Sequence, residues 1–105
     1  MTQKVALVTG SATGVGRACA VRFAKLGYAV AVNYSKSEAE ANETAALVEA
    51  CGVPALVHKA TVGEDAQVRA MVARVRDTFG GLDVLVNNAA TTHFIAHADL
   101  DALTD

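Results

Sequence analysis

Four short apolar runs alternate with three helical segments along this chain. This alternation restricts the possible folds more than any other feature of the sequence. The runs have the length and the valine content of strands that are buried on both faces of a sheet. They are predicted at 5–9 (VALVT), 28–34 (YAVAVNY), 54–60 (PALVHKA) and 82–86 (LDVLV). Strands that alternate with helices form βαβ units with right-handed crossovers, so the sequence predicts an α/β fold with a parallel sheet.

Apolar residues at helical spacing mark the three helices, and terminal signals mark their ends. The first helix is predicted from Val15 to Leu26, with Gly27 as its stop. The second is predicted up to about Cys51, with Gly52 as its stop. The third carries apolar residues at Val68, Met71, Val72, Val75 and Phe79 and ends at Gly80-Gly81. Capping-box pairs predict the starts of the second and third helices, at Ser37 with Glu40 and at Thr61 with Glu64.

The segment that follows the fourth strand, NNAATTHFIAHADLDAL, is predicted to be a loop. Thr104 and Asp105 have the residue types of a helix N-terminus. The fourth strand is expected at the edge of the sheet, where a purely apolar strand would expose unpaired backbone. These two features predict that the sequence is the first part of a larger domain.

Composition restricts the class of protein. A chain of 105 residues, 52% of them hydrophobic, is one ordered domain at most. No apolar run approaches the roughly 20 residues that span a membrane, and the N-terminus lacks a signal-peptide pattern, so a cytoplasmic location is expected. Cys19 and Cys51 lack metal or redox spacing and are expected to be buried free thiols.

Charge is distributed unevenly. Residues 1–37 contain five basic and no acidic residues, whereas residues 38–105 contain all eleven acidic residues and four basic ones. The basic part includes the glycine loop that follows the first strand, so a small anionic ligand is favoured there. No Lys/Arg run with interleaved aromatic residues is present, which argues against a nucleic-acid partner.

That glycine loop, TGSATGVG at 9–16, lies between a strand and a helix and begins a βαβ unit. Gly10 is suited to a tight turn, Gly14 to close approach of a pyrophosphate, and Gly16 to close packing of helix on sheet. The phosphates are expected on the N–H groups of the helix that begins near Val15, with Ser11 and Thr13 adding hydroxyl donors. It is not a Walker loop, because no Gly-Lys-Ser/Thr follows.

The spacing of Thr9, Gly10, Gly14 and Gly16 resembles the T-G-x-x-x-G-x-G motif of the short-chain dehydrogenase/reductase family. The segment Asn87-Asn88-Ala89-Ala90 is similar to that family's N-N-A-G motif. The resemblance implies a Rossmann-type sheet of order 3-2-1-4, incomplete relative to the full domain, with residues 1–105 as its dinucleotide-binding portion. It also implies that the cofactor crosses the carboxyl ends of strands one and four.

By the same resemblance, the Asn87 side chain would tie neighbouring strands together. The backbone of 88–90 would border the ribose on the nicotinamide side, and Thr61 and Val62 would meet adenine.

The chain departs from the family pattern at three positions. Ala90 replaces the last glycine of N-N-A-G, Thr61 stands where an adenine-binding Asp is frequent, and Thr13 stands where some NADP-binding members carry Arg. By the resemblance, Ala90 would crowd the backbone on the nicotinamide side, Thr61 could accept only one hydrogen bond from adenine, and the phosphate anchor at position 13 would be missing.

The choice between NAD(H) and NADP(H) depends on the end of the second strand. A carboxylate there would accept a hydrogen bond from the ribose 2′-hydroxyl and repel a 2′-phosphate. The chain has no carboxylate there until Glu38. NADP(H) is therefore favoured, and NAD(H) stays open. The residues expected to face the adenosine ribose and its 2′-phosphate are Asn33, Tyr34, Ser35 and Lys36, with Ser37 as a further small donor.

The family's catalytic residues, a Ser and a Tyr-x-x-x-Lys pair, come after N-N-A-G, and this chain has no such pair. Tyr28 is followed four positions later by Val32, and Tyr34 by Glu38. No catalytic residue is predicted in these 105 residues, and the chain alone is expected to be inactive. The resemblance implies a full-length oxidoreductase that acts on a carbonyl or secondary alcohol and forms homodimers or homotetramers through later helices.

Other functions fit parts of the same pattern. A non-catalytic module that binds dinucleotide or a partner stays open, with the fourth strand as a place for strand addition. A flavodoxin-like or receiver domain fits the alternation but lacks an acidic cluster on the first strand. His93 and His97 have the spacing of a zinc helix, but no third ligand accompanies them, so no metal is predicted. Contact with substrate by Thr91, His93 or Phe94 is an alternative to a solvated loop.

Overall fold

The computed structural model describes residues 3–61 and 63–88 and the backbone of 93–96. Its elements are β1 (Val5–Val8), α1 (Gly14–Lys25), β2 (Ala29–Tyr34), α2 (Glu38–Glu49), β3 (Ala55–Lys59), α3 (Asp65–Phe79), β4 (Val84–Asn87) and β5 (His93–Ala96). The predicted alternation of strands and helices is confirmed, with small differences at the ends of elements. The expected helix start at Thr104 lies outside the described residues.

The first four strands are parallel and lie in the order β3-β2-β1-β4, as predicted. Leu7 of β1 pairs with Ala31 of β2 on one side and with Leu85 of β4 on the other. β1 is therefore central, and the chain crosses from one half of the sheet to the other after β3.

β4 does not lie at the edge of the sheet. The segment expected to be a loop contains β5, which pairs with β4 in antiparallel orientation from Val84 opposite Ala96 to Asn87 opposite His93. The prediction of an exposed apolar edge at β4 was wrong, because β5 supplies the backbone partners on that side. Within the described residues, β3 and β5 are the edge strands.

Helices cover both faces of the sheet, which explains why every residue of β1 and β2 is buried. Alternate strand residues point to opposite faces. Val5, Leu7, Ala29 and Ala31 pack towards α3, together with Met71 and Val75 among others. The opposite face packs on α1 and α2 and includes Ala6, Val8, Val30, Val32, Tyr34, Ala20, Ala24, Ala41 and Val48.

The capping predictions had different outcomes. Ser37 caps α2 as expected, since its side chain accepts the Glu40 backbone N–H. At α3 the N-cap is Glu64, and Thr61 only accepts the Glu64 N–H through its backbone carbonyl. The expected Thr61 cap was therefore wrong. α3 ends at Gly80, whose φ of 85° is the left-handed conformation that favours glycine.

Both cysteines are free, but only Cys19 is partly buried, and Cys51 is exposed beyond the end of α2. The expectation of two buried thiols was wrong for Cys51, because this residue lies in the turn after α2 and not on the buried face of the helix. No helix in the described part of the chain is both long and apolar enough to cross a membrane.

Candidate cofactor-binding site

The candidate site lies at the carboxyl edge of the parallel strands, where the glycine loop after β1 lies next to the segment after β2 and to Asn88 at the end of β4. The strand order reverses at β1, with β2 on one side and β4 on the other. Ligands of open α/β sheets bind in the crevice at such a reversal. The glycine loop follows β1 directly, so the fold places it at this crevice.

The three glycines of the loop meet three different demands. Gly10 and Gly14 each have a φ of 60°, which disfavours any residue with a Cβ. Nothing lies within 4 Å of the point where a Gly14 Cβ would stand, so the backbone is open to a ligand there. A Cβ on Gly16 would lie 2.1 Å from the Gly10 carbonyl oxygen. The predicted turn at Gly10 and the predicted close packing at Gly16 agree with this geometry, and the approach of a pyrophosphate to Gly14 stays a prediction.

The N-terminus of α1 is suited to an anion. Thr13 is the N-cap, in extended conformation, and the structure gives its hydroxyl no capping hydrogen bond. The first turn contains no acidic residue, so no carboxylate competes for its N–H groups. Val15, in this first turn, has an apolar side chain that is 65% exposed.

A cleft of about 230 Å³ joins the glycine loop to the segment that follows β2. Lys36 is its basic residue and Glu40 its acidic one. Its lining residues are Gly10, Ala12, Thr13, Tyr34, Ser35, Lys36, Ser37 and Glu40. The cleft thus brings Gly10 and Thr13 of the glycine loop together with Tyr34 and the segment 35–37 that were predicted to face the ribose.

The side chains of Ser11 and Asn33 were expected to donate hydrogen bonds to the cofactor, but in the structure they bond to the protein backbone. Ser11 is 0% exposed, and its hydroxyl donates to the Val8 carbonyl at 2.6 Å. Asn33 is 1% exposed, accepts the Gly10 N–H at 2.9 Å and directs its amide N–H groups to backbone carbonyls, among them that of Ala60 at 3.2 Å. Neither side chain is available to a phosphate, because both brace the loop from inside the protein.

Tyr34 lines the cleft with little exposure, 8%, and its hydroxyl lies 3.4 Å from Oε2 of Glu38. Burial first, then the charge of Glu38 and the hydrogen bond to it, raise the pKa of the Tyr34 phenol above its ordinary value. The phenol is therefore a neutral donor that holds the first carboxylate after β2.

The end of β4 is tied to the end of β1 through Thr9. The Thr9 hydroxyl lies 3.2 Å from Oδ1 of Asn87 and accepts the Asn88 backbone N–H at 2.9 Å. Asn88 also donates from Nδ2 to the Gly10 carbonyl at 3.2 Å. The expected tie by Asn87 is present, and Asn88 adds a second one.

The expected adenine side is only partly described. Thr61 is exposed, and its backbone N–H donates to Oε1 of Gln67 at 2.7 Å. Val62, Ala89 and Ala90 lie outside the described residues, so their predicted contacts with the cofactor stay predictions.

The structure does not support a zinc site formed by His93 and His97 on one helix. His93 begins β5, so it does not lie on a helix, and His97 lies outside the described residues. In the part of the chain that the structure describes, no group of three His, Cys, Asp or Glu side chains could hold a metal ion.

Sequence reasoning missed two polar residues that shape the site. Thr9 was used only as a motif position, although it connects β1 to β4. Thr44 of α2 was overlooked, although its hydroxyl donates to the Ala12 carbonyl of the glycine loop at 3.0 Å. A signal for Thr44 was present, because it is a hydroxyl residue next to Ala45 on the otherwise apolar face formed with Ala41 and Val48.

Comparison with known proteins agrees with this geometry. The family model for short chain dehydrogenases matches residues 4–104. The chain belongs to the short-chain dehydrogenase family. A structure from Burkholderia cenocepacia with bound NADP superposes with a TM-score of 0.78 at 35% identity, covering 82% of this chain and 34% of that one.

Two relatives within the short-chain dehydrogenases differ in length. The chain is 43% identical over 102 residues to the short-chain dehydrogenase/reductase homolog YusS of Bacillus subtilis, covering 97% of this chain and 94% of YusS. It is 45% identical over 89 residues to the 3-oxoacyl-(acyl-carrier-protein) reductase FabG of Staphylococcus aureus, covering 85% of this chain and 36% of FabG. The chain therefore spans about a third of FabG but nearly all of YusS.

The residues present fit the nicotinamide dinucleotide that short-chain dehydrogenases use. The backbone is open at Gly14, the N-terminus of α1 carries no acidic residue, and Lys36 lies at the wall of the cleft. These features suit the pyrophosphate of a dinucleotide. When bound, the cofactor would supply a hydride, and these residues would bind and orient it.

Proposed function

We propose that the chain is the NADP(H)-binding part of a short-chain oxidoreductase. The full-length protein would transfer a hydride between the nicotinamide and a carbonyl or secondary alcohol. The observation that carries this proposal is the close approach of Gly16 to Gly10 at a helix N-terminus free of acidic residues. NADP in the related Burkholderia cenocepacia structure supports it.

Each part of the cofactor has its own set of residues in this proposal. Thr13, Gly14 and Val15 face the pyrophosphate through backbone N–H groups. Gly10 and Gly16 shape the turn that places these groups, since the Gly10 N–H already donates to Asn33. Tyr34, Ser35 and Lys36 face the adenosine ribose and its 2′-phosphate. Thr61 and Val62 meet adenine, and the stretch 87–90 borders the other ribose.

Preference for NADP(H) over NAD(H) rests on charge. Lys36 is exposed at the wall of the cleft, where its ammonium group can pair with a 2′-phosphate. The nearest carboxylate after β2, that of Glu38, lies beside the Tyr34 hydroxyl. Asn33 makes no contribution, because its amide is directed to backbone carbonyls.

A non-catalytic dinucleotide-binding module is the second candidate, and the match to YusS favours it. This chain covers 94% of YusS, so a relative of similar length occurs among curated proteins. Strand addition at β4 no longer supports this candidate, because β5 pairs with β4.

The test is a titration of the purified 105-residue chain with NADPH and with NADH. Because the chain has no Trp, the fluorescence of the reduced nicotinamide can be followed with little protein background. We expect NADPH to bind at low micromolar concentration, more tightly than NADH, without oxidation by a panel of ketones. Failure of the folded chain to bind either nucleotide would overturn both candidates, and ketone-dependent oxidation would overturn the predicted inactivity.

A further inference from the structure

Thr44 is a buried polar residue that connects α2 to the glycine loop. It is 0% exposed and lies among Ala41, Ala45 and Val48 on the face of α2 that packs against the protein. Its hydroxyl lies 3.0 Å from the Ala12 carbonyl and 3.3 Å from the Glu40 carbonyl of its own helix. A single hydroxyl proton serves only one of these acceptors well.

Arg17 of α1 decides which acceptor receives that proton. Its Nε donates to Oγ1 of Thr44 at 2.8 Å, and its Nη2 donates to the Glu40 carbonyl at 2.9 Å. The Glu40 carbonyl thus has a charged donor at shorter range than the Thr44 hydroxyl. The Thr44 proton is consequently directed to Ala12, and the donation by Arg17 strengthens that bond through polarisation.

The direction of the Ala12 carbonyl fixes the direction of the next N–H group. The carbonyl of Ala12 and the N–H of Thr13 belong to one planar trans peptide, in which they point in opposite directions. When the carbonyl is held towards Thr44, the Thr13 N–H points away from α2. Thr13 and Ala12 both line the cleft between the loop and the segment after β2.

We propose that Arg17 and Thr44 are positioning residues that set the Thr13 N–H for a phosphate of the cofactor. This inference rests on the proposed function. Neither side chain would touch the nucleotide. Arg17 would act on Thr44, Thr44 on the Ala12 peptide, and that peptide on the phosphate. The relay also couples the glycine loop to α2, whose N-terminus follows the ribose-binding segment.

Thr44→Val tests the relay, because it keeps the branched shape and removes the hydroxyl. The probes are NADPH, which contains the pyrophosphate, and adenosine 2′-monophosphate, which lacks it, each titrated well below the melting temperature. We expect NADPH binding to weaken about tenfold, the scale of one hydrogen bond to a charged group, with 2′-monophosphate binding unchanged. Thr44→Ser, which keeps the hydroxyl, should restore NADPH binding.

Arg17→Gln is the second variant, for the case in which Thr44→Val does not fold. It should also weaken binding of NADPH and leave binding of adenosine 2′-monophosphate unchanged. Arg22→Gln, at an exposed position of the same helix, removes the same charge and is the control. Equal weakening of both probes, or no weakening, would overturn the inference and leave the proposed function standing. Failure of the folded wild-type chain to bind NADPH would overturn both.

Discussion

Gly16 stands so close to Gly10 that a Cβ on it would lie 2.1 Å from the Gly10 carbonyl oxygen and 2.8 Å from Nδ2 of Asn88. The start of α1, the end of β1 and the end of β4 therefore meet at one point. This contact sets the helix N-terminus at the crevice where the strand order reverses.

Replacement of Gly16 by Ala should damage both stability and binding. The added Cβ would meet a backbone carbonyl, which has little room to move, so we expect a loss of about 1–3 kcal/mol in the free energy of unfolding. NADPH binding should weaken at least about tenfold, because the first turn of α1 would shift. Urea unfolding and NADPH titration measure the two effects.

Gly81→Ala is the matched control for Gly16→Ala. A Cβ on Gly81 would meet nothing within 4 Å, and this residue lies between α3 and β4, away from the cleft. The free energy of unfolding of the Gly81→Ala variant should stay within about 0.5 kcal/mol of the wild-type value. Equal behaviour of the two alanine variants would contradict the packing role given to Gly16.

Thr9→Val should destabilise the junction of β1 and β4. The valine keeps the shape but removes the partner of Asn87 Oδ1 and of the Asn88 N–H. Both groups are partly buried, so the loss of their partner should cost about 1 kcal/mol in the free energy of unfolding, measured by urea unfolding. Thr78→Val, at an exposed position of α3, should be close to neutral; a similar loss there would show that the effect is not specific to Thr9.

Lys36→Gln should reduce affinity for NADPH and leave affinity for NADH nearly unchanged. The ammonium group is expected to pair with the 2′-phosphate, which NADH lacks, so a loss of about tenfold is expected for NADPH. Lys25→Gln removes another exposed charge, at the far end of α1, and should have little effect. Parallel weakening of NADPH and NADH by Lys36→Gln would exclude this role.

His58 should make the protein less stable at mildly acidic pH. Burial first and the Arg74 cation second lower the pKa of His58 below its ordinary value of 6.5. The unfolded chain therefore binds a proton more readily than the folded one, so stability falls as the pH drops below about 6.5. The melting temperature between pH 5 and 8 should depend less on pH in His58→Gln than in wild type. If the melting temperatures of His58→Gln and wild type depended equally on pH, His58 would not be the source of the acid sensitivity.

Much of the fold could be predicted because the strands are short apolar runs and the glycines mark where elements end. β5 was missed for a physical reason. The stretch HFIA has no alternation that separates it from a loop, and its pairing depends on β4, to which it returns in antiparallel orientation.

The error at Asn33 comes from judging residue type without the face of the strand. Asn33 alternates with Ala29 and Ala31, which face α3, whereas Tyr34 shares the α1 and α2 face with Val32. Strand alternation thus separates the residue that lines the cleft from the residue that braces the loop. The Arg17–Thr44 contact joins two helices at a separation of 27 residues, so no local pattern predicts it.

The most direct test of the account is a ¹H–¹⁵N correlation spectrum of the ¹⁵N-labelled chain titrated with NADPH. We expect the largest amide shifts at Thr13, Gly14 and Val15, followed by Ser35 to Ser37, with the amides of α3 nearly unmoved. Saturating NADPH that leaves the glycine-loop amides in place, or shifts concentrated on α3, would contradict a cofactor site at the N-terminus of α1.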